Sequence, residues 1–118
     1  MELTEIGAGG AWVPSACDLP TSDRVRRLAE FDRLFGAAVR GIDRVGPTRL
    51  RLELRPSRRA AGQAVELVAA ETECCSFFTF ILTAGDRRLT LEATVPAAHT
   101  GALDALAARA AAAAGWPG

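Results

Sequence analysis

The chain has 118 residues, 49% of them hydrophobic and 24% charged, enough to bury a single core without disulfide staples and typical of one soluble globular domain. Its 14 basic residues are balanced by 14 acidic ones, which argues against nucleic acid as a partner, because phosphate neutralisation calls for a basic excess. No apolar run reaches the roughly 18 residues of a membrane span, so a membrane is excluded as a partner.

In chain order, residues 1–11 carry little periodicity, and Gly7-Ala8-Gly9-Gly10 marks them as a flexible leader to a single domain over 12–115. Trp12 to Cys17 reads as an extended segment, since Pro14 blocks helix there. Pro20 and the Thr21-Ser22-Asp23 cluster then provide the cap and dipole complement of a helix start. Val25, Leu28, Phe31, Leu34, Phe35, Ala38 and Val39 recur at helical spacing, so a first helix is predicted to about Arg40, with Gly41 as its stop. Two strands follow, 41–45 and 48–55, joined by a Gly46-Pro47 turn. In the second, Leu50, Leu52 and Leu54 alternate with Arg51, Glu53 and Arg55, the pattern of a sheet covered on one side.

Ser57 can cap a second helix running to about Cys75, with Ala61, Ala64, Val65, Leu67, Val68 and Thr72 as its inward stripe. Phe77 to Thr83 is rich in β-formers, Ala84-Gly85-Asp86 makes a turn, and 88–95 is a fourth strand. An alanine-rich third helix occupies 97–114. The run Arg49-Leu50-Arg51-Leu52-Glu53 matches Arg88-Leu89-Thr90-Leu91-Glu92, and at the same offset Leu67 falls on Leu106. The fold class is therefore α+β, in the order α-ββα-ββα: a four-stranded, mainly antiparallel sheet with helices packed on one face. Its open face can pair with a second copy, so a homodimer is a candidate assembly. The aromatic run fits that view: Phe78 and Phe80 fall on one face and Phe77, Thr79 and Ile81 on the other, so one face is core and the other can, with Trp12, line a dimer seam or a pocket.

At the repeat's offset Cys74 and Cys75 fall on Ala113 and Ala114, so the scaffold is duplicated but the thiols belong to one half. Three cysteines, with no N-terminal secretory pattern, fit free thiols in a reducing cytoplasm. The end of a helix is a poor place for a spontaneously acidic thiol, because the dipole there is negative and Glu71 and Glu73 add to it. A bound cation removes that difficulty, since it deprotonates its own thiol ligands. Adjacent helical cysteines point about 100° apart, so Cys17 is the better partner for either one. Glu71 lies three residues before Cys74 and four before Cys75, on a shared helix face. Cys17, Cys74, Cys75 and Glu71 can thus converge on a soft ion: mercury(II), arsenic(III), cadmium, or zinc with a carboxylate or His99 added. The same residues leave two alternatives open. Cys74 or Cys75 can be the reactive thiol of an enzyme or redox protein with Cys17 as its partner, or all three can be core filler in a structural or interaction domain. Glu71, Glu73, His99 and the arginines at 24, 26, 27, 58, 59, 87 and 88 have an ordinary reading as solvated surface.

Ala16-Cys17-Asp18-Leu19, Arg27-Leu28-Ala29-Glu30-Phe31 and Glu71-Thr72-Glu73-Cys74-Cys75-Ser76-Phe77-Phe78-Thr79-Phe80 together resemble a small uncharacterised bacterial family. Similar segments occur alone and as C-terminal extensions of regulators of the mercury-resistance (MerR) type. The likeness runs from about Trp12 to Leu106, and its most specific piece is the Glu-x-x-Cys-Cys-x-Phe-Phe-x-Phe run. Asp18 stands where a threonine is common. The resemblance implies a domain that senses or sequesters a thiophilic ligand, although this chain carries no DNA-binding helix-turn-helix.

Overall fold

A computed structural model describes residues 21–74 and 77–115, with side chains over 24–73 and 77–115. The leader, the extended segment with Trp12 and Cys17, and the Cys75-Ser76 step lie outside the described residues. So do Asp18, Pro20 and the cap side chains of residues 21–23.

The elements are α1 (Thr21–Ala38), β1 (Val39–Gly46), β2 (Arg49–Leu54), α2 (Arg58–Cys74), β3 (Thr79–Gly85), β4 (Arg88–Thr94), a 3-10 turn (Ala97–His99) and α3 (Thr100–Ala113). This is the α-ββα-ββα order that the periodicities predict. The four strands form one sheet in the order β1-β2-β4-β3, every neighbouring pair antiparallel. α1 packs against both other helices, α2 against β3 and α3 against β1. No helix of the described residues is long and apolar enough to cross a membrane.

The core sits between sheet and helices. Leu50, Leu52 and Leu54 of β2 and Leu89, Leu91 and Ala93 of β4 are buried, as their alternation with polar residues requires. Phe31, Leu34, Phe35 and Ala38 of α1 close over them. Ser57 caps α2, its Oγ accepting from the Ala60 N–H at 3.0 Å; such a cap stabilises a helix by about 1 kcal/mol.

Leu52 pairs directly with Leu91 across the two central strands, and these are equivalent positions of the sequence repeat. A local two-fold relation therefore runs between them, carrying β2 onto β4 and α2 onto the 3-10 turn plus α3. Under it Ala64 matches Leu103 and Leu67 matches Leu106, all four buried.

Several local expectations are corrected. α1 stops at Ala38, because Val39 pairs with Leu54 in the sheet. Both hairpin turns fall one residue late, at Pro47-Thr48 and Asp86-Arg87, since Gly46 still pairs with Arg49 and Gly85 with Arg88. Asp86 and Arg87 both adopt positive φ, 57° and 61°, as a two-residue hairpin matched to strand twist demands. The third helix opens as a 3-10 turn. On α2, Ala64 and Leu67 are buried as predicted and Ala61 and Val68 pack against the core, but Val65 is 51% exposed and Thr72 is exposed, and Ala60 and Glu71 complete the inward face.

The outer sheet face is polar. Arg51 bridges Asp43 at 3.8 Å and Glu92 at 3.1 Å, and Arg88 approaches Glu53 at 3.5 Å. Ile81, 50% exposed, stands beside Arg51, Thr83, Arg88, Thr90 and Glu92 around a shallow depression.

Candidate functional site

Glu71 is the one buried charged residue among those described, 1% exposed. It occupies a core position on α2, one helical turn before Cys74, and its equivalent in the second half is the fully buried Ala110. The fold accepts a methyl group at this position, so its architecture alone does not call for a carboxylate.

The partner comes from α1. Arg27 Nη1 donates to Glu71 Oε1 at 3.0 Å, and the Arg27 side chain is only 13% exposed. Its Nε edge faces Glu30 Oε1 at 3.9 Å. The other carboxylate oxygen, Glu71 Oε2, is buried and accepts no hydrogen bond from the described residues. An unsatisfied buried acceptor costs about 1–3 kcal/mol.

α1 makes a second interhelical ion pair, and its geometry differs. Arg109 of α3 grips Asp32 with a two-point fork, Nε to Oδ1 at 2.8 Å and Nη2 to Oδ2 at 2.9 Å. That is the ordinary arginine–carboxylate arrangement, and it occupies both oxygens. Arg27 meets Glu71 at one point and leaves an oxygen over.

These contacts also set the direction of the helices. A groove of about 300 Å³ between α1 and α2 is lined by Arg27, Glu30 and Arg33 on one side and Gln63, Glu66 and Ala70 on the other. With Arg27 meeting Glu71, the start of α1 lies at the end of α2. At 1.5 Å per residue, Thr21 is about 9 Å along α1 from Arg27, and Cys74 about 4.5 Å along α2 from Glu71.

Past the helix end, Phe77 lies 4.8 Å from Phe78, between ring centroids. It also stacks on His99, 4.3 Å between centroids and 13° between planes. His99, the single histidine of the chain, thus sits in the 3-10 turn, half-buried against the residue three positions beyond Cys74.

Of the four predicted site residues, Glu71 is buried at the expected corner and Cys74 is the last residue of α2, with its side chain outside the described set. Cys17 and Cys75 lie outside the described residues. Among the described residues no three of His, Cys, Asp and Glu converge.

The surface reading holds for Glu73, which is exposed, and fails for Glu71 and Arg27. Arg27 was legible from its spacing: it falls four residues before Phe31 and continues the stripe Phe31-Leu34-Phe35-Ala38. A charged residue on an apolar stripe requires a buried partner, and Glu71 is the matching case on Ala60-Ala64-Leu67.

Compared with protein-family models, curated proteins and solved structures, the chain matches none.

Proposed function

We propose that this chain is a small cytoplasmic thiol protein that takes up a soft metal ion or metalloid, its donors being the thiolates of Cys17, Cys74 and Cys75 with Glu71 contributing an oxygen. The observation that carries the reading is Glu71 Oε2, a buried acceptor without a hydrogen-bond partner among the described residues, one helical turn before Cys74. The second half of the molecule has an alanine there and three residues later. Chemistry has been added to one copy of a duplicated scaffold.

The topology supports recruitment of Cys17. α1 begins at Thr21, beside the end of α2, and the step from Cys17 to Thr21 spans up to about 14 Å when extended. That reach is compatible with all three thiols meeting at one corner. A soft cation suits such donors, and on binding it displaces their protons. Mercury(II), cadmium and zinc can use the carboxylate oxygen, whereas arsenic(III) is complete with three thiolates. The resemblance to extensions of mercury-resistance-type regulators points the same way.

A low-pKa nucleophilic thiol, the rival reading, needs a cation it can call its own. Arg27 reaches this end of α2, but its Nη1 is committed to Glu71 and the pair is neutral overall.

The test is a thiol count on anaerobic, reduced, native protein before and after one equivalent of mercury(II). The proposal expects ready reaction of the free protein and protection of all three thiols by one equivalent. Thiols that react only after unfolding, with no metal retained, would make the cysteines core filler and end the proposal.

A further inference from the structure

The two edge strands of the sheet come from the two halves of the repeat, and they are finished differently. We infer that the β3 edge and the adjoining flank of α2 form a homodimer interface, β3 pairing antiparallel with β3 of a second copy. This stands apart from the metal-binding reading.

The β1 edge carries the devices that deter strand addition. Its register is broken twice, and Arg40, Asp43 and Arg44 are exposed. Arg44 also closes on its own chain, donating to Asp104 Oδ1 at 2.6 Å and to the Gly46 and Pro47 carbonyls at 2.9 and 2.8 Å. β3 has none of these. Thr79-Phe80-Ile81-Leu82-Thr83-Ala84-Gly85 is uncharged and lacks proline, and its register with β4 is unbroken. Gly85 and Arg88 close the two-residue hairpin as a hydrogen-bonded pair. The alternation of an antiparallel ladder then turns the N–H and C=O groups of Phe80, Leu82 and Ala84 outward. Among the described residues no further strand meets them.

The helix over this edge is finished in the same way. α2 packs on β3, and α1 packs on both other helices, with Gln63, Glu66, Leu67 and Ala70 lining the groove towards α1. At about 100° per residue, the flank turned away from α1, and so out over the β3 edge, is Ala61, Val65, Val68 and Thr72. These positions follow one another at steps of four, three and four residues, the spacing of a helix–helix seam. Val65 is 51% exposed, and Ala61 and Val68 are half-buried. At the position equivalent to Val65 the other half has Asp104, its side chain 67% exposed and bonded to Arg44.

Symmetry selects a second copy as the occupant. A two-fold axis through Leu82 sets Leu82 against its own copy, Phe80 against Ala84 and Ile81 against Thr83. The outward-facing residues then bond reciprocally. The same axis lays α2 antiparallel to its copy, with Val65 against Val68 and Ala61 against Thr72. Strand and helix thus call for one operation, an isologous contact in which no like charges face each other. It lies at the sheet's edge rather than on its open face.

The test is sedimentation equilibrium of the reduced full chain over a range of concentrations, with amide hydrogen exchange resolved by residue. The wild type should be dimeric, with the Phe80, Leu82 and Ala84 amides protected in the dimer and exchanging on dilution. Val65→Glu carries a carboxylate from each copy into the seam and should weaken the dimer about 100-fold or more. Ala84→Pro removes an outward N–H without touching the β3–β4 ladder and should weaken it too. Val45→Glu, at the exposed valine of the β1 edge, should leave the dimer intact. A monomeric wild type would overturn the inference: protected amides would then mean that another part of the same chain covers the edge, and freely exchanging ones that nothing does. A dimer unweakened by either Val65→Glu or Ala84→Pro, or one dissociated by Val45→Glu, would overturn it by placing the contact elsewhere.

Discussion

α1 is held to the two halves of the molecule by two ion pairs, built from the same functional groups with opposite outcomes. Towards α3, Asp32 and Arg109 form a closed fork at 2.8 and 2.9 Å, part-exposed, with every carboxylate oxygen taken. Towards α2, Arg27 and Glu71 lie deeper and touch once, leaving a buried oxygen without a partner among the described residues. The first is what packing asks of a polar contact at the rim of a core. The second is a poor structural device: desolvating both charges costs several kcal/mol, and an unsatisfied oxygen adds to that. The duplicated half fills the equivalent position with the buried Ala110, so the fold itself does not require a carboxylate there.

The comparison can be sharpened by mutation, beginning with the shared scaffold. Leu52→Ala and Leu91→Ala occupy equivalent positions on the local two-fold relation, so each should lose about 2–5 kcal/mol and the two losses should be similar in urea unfolding. A cost confined to one of them would mean that the halves are not energetically equivalent. Next comes the open pair. Arg27→Met strands a buried carboxylate and should destabilise by about 3 kcal/mol. Glu71→Gln should cost less, because the guanidinium it releases borders the groove and has Glu30 nearby. Breaking the closed pair with Asp32→Asn should cost about 1 kcal/mol or less and fade with added salt, as part-exposed ion pairs do. The smallest effect concerns a turn remote from both pairs. Arg87→Gly relieves a positive φ of 61° and should raise stability by about 0.5–1 kcal/mol, read from the thermal midpoint.

The architecture was legible because it is written in period. Leu50-Leu52-Leu54 and Leu89-Leu91 alternate as strands with one wet face, and the repeated Arg-Leu-x-Leu-Glu run exposes the duplication that sets the element order. Boundaries slipped where two signals competed. Val39 satisfies the stripe of α1 but pairs with Leu54 instead. Gly85 looks like a turn residue, yet the hairpin closes at Asp86-Arg87. The site was half legible. Glu71 was marked by its spacing to Cys74 and Cys75, but its burial was hidden because the stripe through Ala64 and Leu67 was continued to Thr72 rather than to Glu71. Arg27 was missed for the related reason that charge was read as surface, although its position continues the apolar stripe of α1. His99 gave no sign of Phe77, since the two meet only through the sheet-to-helix connection.

The central proposal is that Glu71 is there to serve a soft metal ion rather than the fold. It is tested most directly by the double variant Arg27→Met with Glu71→Met, measured for urea stability without metal and for cadmium(II) affinity on the same preparation. A buried pair replaced by apolar side chains of similar volume is commonly as stable or more stable. The variant should therefore be at least as stable as the wild type while binding cadmium about tenfold more weakly. A variant that loses stability as Arg27→Met alone does, yet binds cadmium as the wild type does, would contradict the account and make the pair a structural one.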